Sequence, residues 1–270
     1  MSELRTRTLT GGIFGAVVIL AIIVSFWSFL ALFTLVNAVC LYEYLQITLT
    51  SHKHNKSKWI TILGGSLLFL SPFLYQFFNL SQSLLLLAIV VCLIIILIHI
   101  LLEWLPNVHQ SLHLIGGIMI ISMPLSAVFY LSGYNEAYNC NVILFIIGLI
   151  WTSDMGQYFL GRKLGKHLLA VAISPKKTWE GLLGGLIVTV ILSVCICSYF
   201  QLYNLKHSIV IAVLIVVFGT LGDLTQSSLK RHYSVKDSGN ILPGHGGLYD
   251  RFDAVLFAFP IVAFYLDCVK

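Results

Sequence analysis

The feature that most constrains this chain is a succession of apolar runs, each close to the roughly 20 residues needed to cross a bilayer as a helix. IFGAVVILAIIV is followed almost at once by FWSFLALFTLVNAVCLYEYL, and similar runs recur, between short polar breaks, to the end of the sequence. In lipid every backbone group must find its partner within the protein, so spanning segments are helices or closed barrels. These runs are too long and too little alternating for barrel strands. Only 10% of the 270 residues are charged and 58% are hydrophobic, too little charge to cover a soluble domain of this size. The expected fold is all-α, a polytopic integral membrane protein.

About nine transmembrane helices are expected, near residues 8–25, 27–48, 59–77, 82–102, 112–131, 140–160, 181–200, 207–223 and 251–268. The first two must break near Ser25–Ser28, because one unbroken helix would be about twice as long as the bilayer is thick. Arg5 and Arg7 before the first run suit a signal peptide, but further hydrophobic helices follow without a small-x-small cleavage pattern, so an uncleaved first span is expected. A cytoplasmic N-terminus puts every Lys and Arg except Lys206 and Lys270 on the inner side, as the positive-inside rule requires. Two inner loops are then long and polar, at 161–180 and 224–250. Residues 1–135 read as a scaffold of membrane helices and 136–270 as the catalytic membrane region. The cysteines lie mostly inside apolar runs and form no CxxC pair, which argues against zinc, redox and disulfide frameworks.

Carboxylates at the membrane edge are costly and by default functional. Asp154 lies in WTSDMGQYFLGRKLGK, Asp223 in FGTLGDLTQSSLKR, and Asp250 and Asp253 in GGLYDRFDA, three residues apart and so on one helix face. Hard oxygen donors at this density suit Mg²⁺, which takes one or two protein carboxylates together with phosphate oxygens and water. The competing reading is structural ion pairing with Arg162, Lys230, Arg231 and Arg251. In SPKKTWEG, Lys176 and Lys177 place two cations at the water–lipid boundary, where they either anchor the next span or bind phosphate. PGHGG surrounds His245 with Gly244, Gly246 and Gly247, whose backbone can approach phosphate oxygens closely. No GxxxxGK[ST] loop is present. The charges gather at one face and no inverted repeat joins the halves, which argues against a transporter.

The stretch SSLKRHYSVKDSGNILPGHGGLYDRFD, Ser227 to Asp253, resembles the C-terminal signature of the phosphatidate cytidylyltransferases, or CDP-diglyceride synthetases. It matches that signature at every fixed position. SPKKTWEG and the D-x3-Y-x2-G-R-x2-G segment from Asp154 to Gly165 are similar to the same family, whereas the first half is similar only in hydropathy. Two departures stand out: Gln226 where members usually carry Glu, and Met155 and Gln157 where a small pair is customary.

The resemblance implies the reaction of CTP with phosphatidate to give CDP-diacylglycerol and pyrophosphate, with Mg²⁺ and room for a second, different cation. It implies a multi-pass protein of a bacterial inner membrane with its active site facing the cytoplasm and no nucleic-acid partner; a homodimer is compatible with it, and small residues at Gly181 and Gly185 permit close helix contact. Asp223 and Asp250 are the expected metal ligands, at helix ends that the intervening loop can bring together, with Asp253 a further ligand and Asp154 accessory. Lys230 and Arg251 join Asp223 and Asp250 as catalytic residues. Lys176, Lys177, Ser227, Arg231, Lys236, His245 and Gly246 are expected on the substrates. His245 is expected to position phosphate, since an ionised lipid phosphate has no proton that a base must remove.

Overall fold

The chain breaks its first apolar stretch at Ser25, where Ser25 and Ser28 interrupt the apolar run. In this computed structural model, which describes residues 3–49, 55–77, 90, 94, 108–133 and 138–269, α1 (Glu3–Val24) ends there and α2 (Phe26–Thr48) begins. Ser25 Oγ accepts from the Ser28 amide at 3.1 Å, and Ser28 Oγ accepts from the Ser25 amide at 3.1 Å. This reciprocal cap satisfies amides that a helix start leaves unbonded. Apart from residues 90 and 94, the expected span at 82–102 lies outside the described residues, as does the expected loop position Lys53.

Two units make up the chain: Met1–Tyr138 with Val235–Arg251, and Asn139–Ser234 with Phe252–Lys270. The first holds α1, α2, α3 (Asn55–Phe77), and a helical run through α4 (Val108–Gly117), a π turn (Ile118–Ser122), α5 (Met123–Leu125) and α6 (Ala127–Leu131). The π turn sits immediately before Pro124, whose missing N–H and ring interrupt the regular ladder. An aromatic cluster forms the core of this unit. Phe29 and Phe33 centroids are 5.0 Å apart, as are Phe69 and Phe129, and Phe26 meets Phe73 at 5.6 Å. Tyr138 joins Phe26 and Phe29 and donates its hydroxyl to the Ile22 carbonyl at 2.5 Å.

The second unit contains α7 (Cys140–Leu164), a hairpin of β1 (Leu168–Ala170) and β2 (Ser174–Thr178), α8 (Trp179–Phe200), α9 (Leu205–His232) and most of α10 (Tyr249–Cys268). The strands are antiparallel, pairing Leu168 with Thr178 and Ala170 with Ser174 across an irregularity. α7 and α8 approach so closely that a Cβ on Gly156 would lie 3.0 Å from Gly185 Cα. Gly181 and Gly185 are therefore occupied against α7 within the chain, and the small-residue stripe supplies no argument for a homodimer.

Six helices among the described residues are long and apolar enough to cross a membrane: Phe26–Thr48, Lys56–Tyr75, Leu112–Leu131, Cys140–Leu164, Trp179–Phe200 and Leu205–His232. The protein is thus an all-α multi-pass membrane protein, with one small hairpin among the described residues. α10 has comparable length but opens with Asp250, Arg251 and Asp253. α9 runs nine residues past the expected span end at 223, because LTQSSLKRH contains no Gly or Pro and places Lys230, Arg231 and His232 on the negative end of the helix dipole. Its 28 residues extend about 42 Å, beyond the roughly 30 Å hydrocarbon core. Ser227, Lys230 and Arg231 consequently hold helical spacing and do not belong to a loop.

Candidate functional site

In the second unit, three helices and the hairpin deliver charge to one neighbourhood. Asp223 on α9 is the centre of it. Lys177, on β2, places its Nζ 2.6 Å from Asp223 Oδ2, and Ser227, one turn along α9, donates its hydroxyl to Asp223 Oδ1 at 3.1 Å. Asp253 on α10 lies within electrostatic reach of Asp223, Asp154 and Lys230, so three carboxylates and two lysines share one field. A Cβ on Gly222 would collide with the Asp253 carbonyl, which is how α9 and α10 come close enough for their carboxylates to interact.

The SPKKTWEG segment owes its shape to two short-range devices. Thr178 caps α8, its Oγ1 accepting from the Gly181 amide at 3.1 Å. Glu180 reaches back to the turn before β1: Oε2 accepts from the Lys166 amide at 3.0 Å and from the His167 amide at 3.2 Å, and Oε1 meets His167 Nδ1 at 2.5 Å. These bonds hold β2 so that Lys177 faces Asp223 while Lys176 remains exposed. Arg231 is exposed and bonds the Ile173 carbonyl at the hairpin with its Nε at 3.5 Å.

Two of the three residues that depart from the resembled pattern, Gln157 and Gln226, have distinct fates. Gln157 donates to Ser153 Oγ at 2.9 Å and to Thr220 Oγ1 at 3.1 Å, linking α7 to α9 near the aspartates. Gln226 is 2% exposed, so a neutral amide occupies a buried place where a carboxylate was the customary choice.

In the first unit the 235–251 segment is held by backbone-directed contacts. Leu242 accepts from the His245 amide at 2.9 Å, with Pro243 and Gly244 (φ +76°) between, the residue types that a type II turn demands at its centre. Asp250 Oδ2 accepts from the Ser238 amide at 2.8 Å and the Gly247 amide at 3.1 Å. His245 Nδ1 lies 2.8 Å from Thr10 Oγ1, and Thr10 also donates to the Pro243 carbonyl at 3.1 Å. Arg251 donates to the His245 carbonyl at 2.8 Å, and Lys236 is exposed. Gly246 has φ +82° and packs against Asp237 and Asp250.

Sequence reasoning missed Glu43. This residue of α2 is 2% exposed and accepts from the Leu248 amide (3.1 Å), the Tyr249 amide (2.8 Å) and the Ser238 hydroxyl (3.2 Å). Its signal was present: a lone carboxylate inside an apolar span is as unusual as the four aspartates singled out above.

The donor set of the second unit suits a small hard cation. Mg²⁺ takes only one or two protein carboxylates and fills its remaining positions with phosphate oxygens and water. Asp223 and Asp253 would be such a pair, and the Lys177 ammonium stands as a positive charge on Asp223 Oδ2. Among the described residues no three His, Cys, Asp or Glu side chains form a group that could hold a metal ion by themselves.

A model of the cytidylyltransferase family matches residues 5–269. The chain is 34% identical over 276 residues to a phosphatidate cytidylyltransferase of Bacillus subtilis (strain 168), an alignment covering 98% of each protein. Over 122 residues it is 47% identical to the phosphatidate cytidylyltransferase of Staphylococcus haemolyticus and 45% identical to that of Staphylococcus aureus (strain COL), in each case 44% of this chain and 46% of the relative. With a match that runs almost end to end and a relative aligned along its whole length, the chain belongs to the cytidylyltransferase family.

Proposed function

We propose that the chain transfers the cytidylyl group of CTP to phosphatidate, forming CDP-diacylglycerol and releasing pyrophosphate. One observation carries the reading above the others: identity of 34% along 98% of both chains with a protein named phosphatidate cytidylyltransferase. The chemistry of the second unit supports it. A phosphomonoester has its second pKa near about 6, so phosphatidate is largely dianionic at neutral pH and is itself the nucleophile. The barrier is repulsion between that dianion and a triphosphate, and fixed cations lower it by holding and neutralising the reacting oxygens.

Lys177 and Lys230 are assigned to the triphosphate beside Asp223, and Lys176 to the lipid phosphate at the membrane edge. Ser227 orients Asp223. Arg231 and Lys236 add positive potential, and Arg251, His245 and Gly246 shape the PGHGG turn for close approach to phosphate. Asp223 and Asp253 would hold Mg²⁺, which when bound neutralises phosphate charge. Asp250 is assigned to the loop whose amides it gathers, and Asp154 to the field around Asp253.

The reading extends to topology: about nine spans, a cytoplasmic N-terminus and a cytoplasmic site in a bacterial inner membrane. It is supported by the charge pattern: with nine spans and this orientation, every Lys and Arg except Lys206 and Lys270 would fall on the inner side. Cysteines introduced singly near residue 56 and at Asn240 should react with an impermeant thiol reagent from the same, cytoplasmic side; labelling from opposite sides would overturn the count.

Purified protein in detergent, supplied with CTP, phosphatidate and Mg²⁺, should yield CDP-diacylglycerol and pyrophosphate in equal amounts. Release of CDP would instead indicate a CTP-dependent kinase. The absence of nucleotide turnover would overturn the assignment.

A further inference from the structure

Glu43 sits in an apolar span where an uncompensated carboxylate is strongly disfavoured. Its three donors all come from one segment about two hundred residues away: Ser238 Oγ, Leu248 N and Tyr249 N. The last two lie at the start of α10, where the opening turn of a helix has amides without intrahelical acceptors. Glu43 therefore caps α10 from another helix, a task normally done by the residue just before the helix.

The same segment is gripped from its other side. Ser238 offers its amide to Asp250 at 2.8 Å and its hydroxyl to Glu43 at 3.2 Å, so the two carboxylates share one residue. Gly239 and Gly247 complete the fit, because a Cβ on either would run into the Glu43 carboxylate. Tyr44, next to Glu43, meets the ring of Tyr249 edge-on at 6.3 Å. Sequence-distant residues thus converge on the PGHGG segment through a single buried acid.

We infer that Glu43 is a positioning residue for cytidylyl transfer: it sets the geometry of the 238–250 segment, including Asp250, and so gives the N-terminal helices a part in turnover. This rests on the activity proposed above. A carboxylate is required because it accepts at both oxygens; Gln would turn a donor toward at least one of the three donors, and Asp, one methylene shorter, keeps both acceptors but reaches the donors less well.

The test compares Glu43→Gln, Glu43→Asp and Glu43→Ala with the unaltered full chain in detergent, using the monodisperse fraction of each. Hydrogen exchange of the peptide covering residues 238–250 reads the segment itself, and kcat and KM for CTP and phosphatidate read its consequence. Glu43→Gln should exchange faster at Leu248 and Tyr249 and lose about tenfold or more in kcat, as a misplacement of about 1 Å can produce. KM for phosphatidate should stay near the unaltered value, and Glu43→Asp should recover part of the loss. A structural role alone would lower the yield or thermal midpoint and leave kcat of the folded fraction intact, which would overturn the inference. So would unchanged exchange at Leu248 and Tyr249. Where Glu43→Ala does not fold, Ser238→Ala removes one bond of the three, and must shift exchange and kcat in the same direction or the inference fails. Should the unaltered chain make no CDP-diacylglycerol, the activity assignment fails, while the exchange comparison still decides whether Glu43 holds the segment.

Discussion

Glu43 and Asp223 both lie in long apolar helices, but their surroundings differ in kind. Glu43 is 2% exposed and accepts from two amides and a hydroxyl, neutral donors that hold backbone in place. Asp223 is half-buried, holds a lysine ammonium at 2.6 Å and shares its field with Asp253. Backbone amides bound to an acid make a fastening, whereas a lysine ammonium makes a place where an incoming cation or phosphate can rearrange the pairing. The physical distinction is between a carboxylate matched by groups that cannot leave and one matched by groups that can.

That comparison breaks most visibly at Asp223. Asp223→Asn should reduce turnover by about 10²–10³-fold, the scale of losing a preorganised electrostatic contact, while the protein still inserts and remains monodisperse; initial rates of pyrophosphate release check both halves. Lys177→Met should cost about 10²-fold in kcat/KM for CTP. Lys177→Arg should recover only part, since a planar guanidinium does not replace a compact ammonium on Asp223 Oδ2.

On the other side of the comparison effects should be smaller and should appear in stability as well. Gly247→Ala forces a methyl against Ser238 Oγ and Glu43 Oε2, an overpacking worth about 1–3 kcal/mol, so the thermal midpoint and turnover should fall together. Thr10→Val removes the hydroxyl that bonds Pro243 and His245. One such bond contributes about 1 kcal/mol, and turnover should change by no more than a few-fold; a much larger loss would give His245 a direct part in the chemistry.

The helical breaks and the site's membership were readable to different depths in the residues. The Ser25–Ser28 break was legible because one unbroken helix there would be about twice as long as the bilayer is thick, and these hydroxyl residues interrupt the apolar run. The aspartates and lysines of the second unit stood out because charge is rare here. The continuation of α9 to His232 was not legible, since polar residues after an apolar run look the same in a loop and in a helix that leaves the membrane. The β1–β2 hairpin was too short to show a period of two. Glu43 was visible as a lone carboxylate in an apolar span, but its role was not legible: its partners are about two hundred residues away, and no local spacing announces a cap supplied by a different helix.

The central claim, that Asp223 and its neighbours meet the cation while Glu43 fastens the loop, is tested most directly by metal binding without turnover. Mn²⁺, used in place of Mg²⁺ and followed by its electron paramagnetic resonance signal in the presence of CTP, can be titrated into the unaltered chain, Asp223→Asn and Glu43→Gln. The account predicts affinity weakened about tenfold or more by Asp223→Asn and little changed by Glu43→Gln. Equal weakening in both variants, or unaltered affinity in Asp223→Asn, would contradict it.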